Sequence, residues 1–145
     1  MSIAIALHLL SAVVWVGGMF FAYMALRPAA SSVLEPPLRQ QLWRATFDRF
    51  FPWVWAAVIL LLVTGYWLLL TRWTMATAPI YLHIMQGLGI LMILLYLHVF
   101  FAPFRRMKKA LDAGDHQEAG RRLGQIRTLI GVNLILGLIV VVAAS

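Results

Sequence analysis

Phe51–Leu70 reads FPWVWAAVILLLVTGYWLLL, twenty residues without a charged side chain. A bilayer's hydrocarbon core, about 30 Å thick, is crossed by about 20 such residues in a helix. Working outward in both directions, the same reading recurs at Ser2–Leu26, Ile80–Phe101 and Ile126–Ala144. No Asp or Glu lies in any of the four stretches. With 63% hydrophobic and 12% charged residues in 145, a soluble fold has too little polar surface to cover its apolar side chains. The expected architecture is all-α, a four-helix transmembrane bundle in up-down order. It forms a single integral membrane domain over residues 1–145, with spans near 2–26, 51–70, 80–101 and 126–144.

The net charge of +7 is distributed as a membrane topology signal. Arg27, Arg39, Arg44 and Arg49 fall between the first and second stretches. Arg105, Arg106, Lys108, Lys109, Arg121, Arg122 and Arg127 fall between the third stretch and the start of the fourth, and Arg72 alone lies between the second and third. Basic loops stay on the cytoplasmic side, so both termini are expected in the periplasm and the protein in a bacterial inner membrane as a multi-pass chain. The basic loops face anionic headgroups, and nucleic acid is not an expected partner. The first stretch has no basic residue before Arg27 and carries His8 and Trp15, so it reads as a retained helix rather than a signal peptide. The absence of cysteine excludes disulfides, thiolate metal sites and cysteine nucleophiles. The absence of acids from the spans argues against carboxylate relays and carboxylate-bound di-iron centres.

Prolines punctuate the pattern. Proline disfavours helix in the residue before it, so helix one is expected to end near Arg27-Pro28, and Pro36-Pro37 to interrupt the following loop. Residues 38–51 read as a short interfacial helix, with Pro52 in the first turn of helix two. Helix three is expected to run on through Phe104 to Leu111. Ala113-Gly114-Asp115 reads as a turn, and Glu118–Gln125 as a helical lead into helix four. Trp53, Trp55, Trp67, Trp73 and Tyr81 suit an aromatic belt.

Three histidines fall within spans: His8, His83 and His98. An ionisable ring at membrane depth is costly and marks a functional site by default. At a rise of about 1.5 Å per residue, His8 is about 9 Å and His83 about 5 Å from the same membrane face. Imidazoles on two bundle helices suit the axial positions of a haem. The main expectation is therefore b-type haem held by His8 and His83, serving electron transfer or a small redox reaction. Trp15, Gly18 and Trp67 would line the pocket, and a quinone or protein redox partner and self-association are expected with it. His98 is about 22 Å further along helix three and marks a second site or a bond to a neighbour. Copper is the alternative, on His8, His83, Met19 and Met85, since thioether and imidazole suit Cu(I). Buried methionine is otherwise filler, the span glycines allow close helix packing, and Asn133 bonds a neighbouring helix. Arg27 and Arg105 pair with a propionate or quinone or snorkel at the membrane edge, and His116 is solvated.

The segment Ala6–Phe21, ALHLLSAVVWVGGMFF, resembles the opening of the CopD-like membrane proteins, a family that takes its name from a copper-resistance protein. The likeness continues through Phe50–Trp55, Tyr81-Leu82-His83, His98 with Phe101–Arg106, and Gln125–Arg127 as far as Asn133, and so covers essentially the whole chain. It implies copper uptake. The arrangement is also similar to the HemJ family of four-helix proteins that bind b-type haem and oxidise protoporphyrinogen. There a first-helix histidine followed by tryptophan corresponds to His8 and Trp15, and a third-helix histidine to His83. This chain has Met85 in place of that family's lysine and Leu134 in place of its glutamate. A protoporphyrinogen oxidase is the remaining alternative that this resemblance implies.

Overall fold

A computed structural model describes residues 2–73 and 76–145. Ser2 starts the first helix by accepting a hydrogen bond from the Ile5 amide at 3.4 Å, as side-chain oxygens do at N-caps. Helix α1 (Ile3–Phe21) passes into a π turn (Ala22–Leu26) and continues as α2 (Arg27–Val33). The helix therefore does not end near Arg27-Pro28. Pro28 lacks an amide, and its ring would press on the preceding turn. The wider turn, in which the Arg27 amide reaches back five residues to the Ala22 carbonyl, absorbs it.

The second rod corrects two expectations. Helix α3 runs unbroken over Pro36–Arg72, so residues 38–51 are not a separate interfacial helix and Pro52 lies in the helix interior. Buried Trp43, Phe47, Phe51, Val54 and Val58 follow each other at helical spacing across the proline. Phe47 stacks on Phe51 at 4.9 Å between ring centroids, and Phe104 stands edge-on to both. Continuous burial of one aromatic face outweighs a single missing backbone hydrogen bond.

The third rod is divided where a continuous helix was expected. Helix α4 (Ile80–Phe101) stops at Ala102, with φ −116° and ψ −88°, and α5 (Pro103–Asp112) starts on the proline. The Ala113–Asp115 turn forms as expected. Gly114 has φ +73°, a left-handed conformation that glycine adopts without steric cost. Asp115 caps α6 (His116–Ala144) by accepting from the Glu118 amide at 3.1 Å, and Glu118–Gln125 is continuous with the fourth span.

Four rods, 3–33, 36–72, 80–112 and 116–144, are long and apolar enough to cross a membrane. The 37 residues of α3 extend about 55 Å, beyond the hydrocarbon thickness. The surplus gathers at one end, where α2, the start of α3, α5 and the start of α6 carry every basic residue except Arg72. Ser2, Trp73, Pro79 and Ser145 lie at the other end. Helix α1 packs on α3, α4 and α5 pack on α6, and α6 also touches α1 and α3. Aromatic rings fill the space between α3 and α4. Tyr96 stands edge-on to Trp55 at 5.4 Å and donates its hydroxyl to the Phe51 carbonyl at 3.2 Å. Exposed Val13, Phe21, Val63, Leu70 and Val142 face the lipid.

Burial is uneven along the bundle axis. Phe47, Phe104, Met107, Ala119 and Ile126 are sealed near the basic end. Toward the termini, no described residue of α1 before Ser11, of α4 before Met92, or of α6 beyond Gly137 is buried. The bundle opens at that end.

Candidate functional site

The inward face of α1 is a stripe spaced by three and four residues: His8, Ser11, Trp15, Met19 and, in the following π turn, Ala22. The last four are buried. His8 occupies the same stripe where the bundle opens, and is half-buried. Its Nδ1 lies 2.9 Å from Thr64 Oγ1 on α3. Thr64 is buried, and its hydroxyl donates to the Leu60 carbonyl at 2.5 Å. A hydroxyl has one proton and a carbonyl only accepts. With that proton committed to Leu60, Thr64 accepts from His8 Nδ1–H, and the ring's lone pair sits on Nε2. The partner of one ring nitrogen thus sets the role of the other. Gly65 keeps the ring's place open, since a Cβ there would come within 3.3 Å of His8 Cε1.

His83 is half-buried in the first turn of α4. One turn on, Gln86 Nε2 donates to the Tyr66 hydroxyl at 2.8 Å, tying α4 to α3 two residues from Thr64. The two histidines stand on helices that each pair with a different neighbour. Helix α3 links them, through Thr64 toward His8 and through Tyr66 toward Gln86.

The remaining sequence candidates are dispersed. Trp15, 3% exposed, stands edge-on to Tyr96 at 6.2 Å and belongs to the core. A Cβ at Gly18 would collide with the Phe50 ring, so this glycine serves the close approach of α1 to α3. Trp67 is 63% exposed. Met19 is buried in the core, about 16 Å along α1 from His8, and Met85 is half-buried on α4. His98 is exposed while its neighbours Tyr96 and Val99 are buried, so it faces away from the bundle. Asn133 donates to the Met92 carbonyl at 3.1 Å, the interhelical bond expected of it. His116 is engaged rather than merely solvated: its Nδ1 lies 3.1 Å from Gln40 Oε1, and its carbonyl accepts from Gln40 Nε2 at 2.9 Å. Among the described residues, no group of three or more His, Cys, Asp or Glu side chains gathers to hold a metal ion.

Sequence reasoning passed over Thr64, Tyr66, Gln86 and Gln40. The signal was available for Thr64 and Gln86, which are polar groups inside uncharged spans and are subject to the same cost argument as Asn133.

The family model described as CopD, copper resistance protein D, matches residues 44–145, more than half of the chain. Thr64, His83 and His98 lie within the matched segment, and His8 precedes it. No curated protein and no solved structure matches the chain.

Proposed function

Since the chain belongs to the copper resistance protein D family, we propose that it binds copper, as cargo, at the open terminal end of the bundle and passes it into or across the membrane. The observation that carries this reading is the Leu60–Thr64–His8 relay. It holds an imidazole with its Nε2 lone pair free for a soft metal, inside a membrane where an unemployed histidine is costly. Second-partner hydrogen bonds of this kind orient metal-binding histidines. His83, in the first turn of α4 at the same end of the bundle, is the further donor we assign. Met85, two residues on, projects from a different side of that helix, and Met19 lies deeper on the α1 stripe. The concentration of basic residues at the opposite end supports a periplasmic placement of this mouth in a bacterial inner membrane.

The test is competition for Cu(I) against a chromogenic chelator, with metal analysis of the same detergent-purified protein. The native protein is expected to retain Cu(I), and His8→Ala to bind it at least tenfold more weakly. Equal binding by the two proteins removes His8 from the site. The same sample tests haem b on His8 and His83, the main expectation from sequence. A Soret band with reduced α and β bands, abolished by His8→Ala, would replace copper with haem. Met85 and Leu134 place no charge where the HemJ pattern has lysine and glutamate, so the oxidase alternative lacks that pattern's charged groups.

A further inference from the structure

At the basic end, away from His8 and His83, the π turn, α2, α3 and α6 line a cavity of about 280 Å³. Three arginines from three parts of the chain line it: Arg27, Arg39 and Arg127. No Asp or Glu is among its lining residues. Of the five side-chain carboxylates, Asp112 pairs with Arg44, Asp48 with Lys108 and Glu118 with Arg121 and Arg122, Asp115 caps α6, and exposed Glu35 stays outside the lining. Arg27 is braced, with its guanidinium 4.5 Å over the Tyr23 ring and Nε donating to the Tyr23 carbonyl. Arg39 Nη2 donates to the Ser31 and Leu34 carbonyls at 3.2 and 3.0 Å. Its Nε is buried without a hydrogen-bond partner. A buried charged donor left unmatched is costly and calls for an anionic acceptor.

A second pocket, of about 160 Å³, adjoins the first and shares Ala22, Phe47 and Ile130 with it. It lies deeper along the bundle, between Gly18–Leu26 and Thr46–Phe50. Its walls are apolar apart from Thr46, whose hydroxyl already donates to the Leu42 carbonyl at 2.8 Å. Phe21, 61% exposed on the lipid-facing flank, forms part of the wall. The two pockets together carry cations at the membrane edge and are apolar toward its interior, the profile of a single anionic phospholipid.

We propose that these adjoining pockets bind one anionic phospholipid, with its phosphate among Arg27, Arg39 and Arg127 and an acyl chain along Phe50 and Phe21. Guanidinium forks match phosphate oxygens in pairs. The apolar extension selects a lipid over free phosphate. Gly124 shapes the cavity, and a Cβ there meets nothing within 4 Å. A large side chain at 124 therefore has space to enter the site without displacing backbone.

Native mass spectrometry of the full chain tests this in detergent containing equal phosphatidylglycerol and phosphatidylcholine with identical chains. The native protein is expected to retain one phosphatidylglycerol, at least tenfold in preference to phosphatidylcholine. Arg127→Gln, whose guanidinium forms no hydrogen bond or ion pair among the described residues, is expected to reduce that preference severalfold. Gly124→Phe keeps all three arginines and is expected to lose the lipid by filling the cavity. Equal retention of both lipids overturns the proposal, as does wild-type retention by both variants. Displacement of phosphatidylglycerol by millimolar inorganic phosphate would make the ligand a free anion and overturn the lipid assignment.

Discussion

Thr64 shows how little of a site a residue reveals by itself. His8 stands out in any reading of the chain because an imidazole in an apolar helix needs a reason. Threonine in a helix usually returns its hydroxyl to the carbonyl one turn back, as Thr64 does to Leu60, and so looks satisfied. Only the 2.9 Å contact from α1 makes it the group that orients His8. Thr64→Val keeps the shape and removes the acceptor. It is expected to weaken Cu(I) binding by about 10- to 100-fold, the range seen when a ligand's supporting partner is lost. The same chelator competition reads it, and an unchanged affinity would reduce the contact to packing.

At the scale of the element, three prolines with the same local rule have three outcomes. Pro28 is absorbed by a π turn, Pro52 is carried within a continuous helix, and Pro103 starts a new one. The difference lies in what is buried on either side. Phe47 and Phe51 before Pro52 and Val54 and Val58 after it are buried on one continuous face, whereas the backbone at Ala102 re-aims α5 so that Phe104, Met107 and Ala110 turn into the bundle. Phe51→Ala is expected to destabilise the protein by about 3–5 kcal/mol, the usual cost of truncating a buried aromatic. It should appear as a clear fall in the thermal midpoint in detergent. Pro52→Ala restores an amide donor to the helix interior, where proline ordinarily costs about 3 kcal/mol. It is expected to raise the midpoint, and a fall would mean that the proline itself is needed for the rod's shape. The sequence carried the turn at Ala113–Asp115 because glycine and a capping aspartate act locally. It did not carry the fates of the prolines because those depend on rings more than forty residues away, such as Phe104 against Phe51.

For the molecule as a whole, the charge distribution predicts that the termini and the basic end lie on opposite sides of the membrane. The absence of cysteine allows a clean test with single introduced thiols. Ser145→Cys is expected to react with a membrane-impermeant maleimide in intact cells, and Ala113→Cys only after permeabilisation. The reverse pattern would put the histidine mouth in the cytoplasm. The sequence alone determined that there are four spanning rods, where their apolar stretches lie, and which end is basic. Hydrocarbon thickness sets the length of a span, and the absence of water forces its backbone into helix. Only the tertiary structure decided that α1 pairs with α3 and α4 with α6, that His8 meets Thr64, that His98 faces outward, and that three arginines converge on one cavity. Lipid tails are as apolar as the helices they surround, so association rests on close fits such as Gly18 against Phe50 and on scattered polar contacts. Such fits join distant parts of the chain and leave no periodic trace along it.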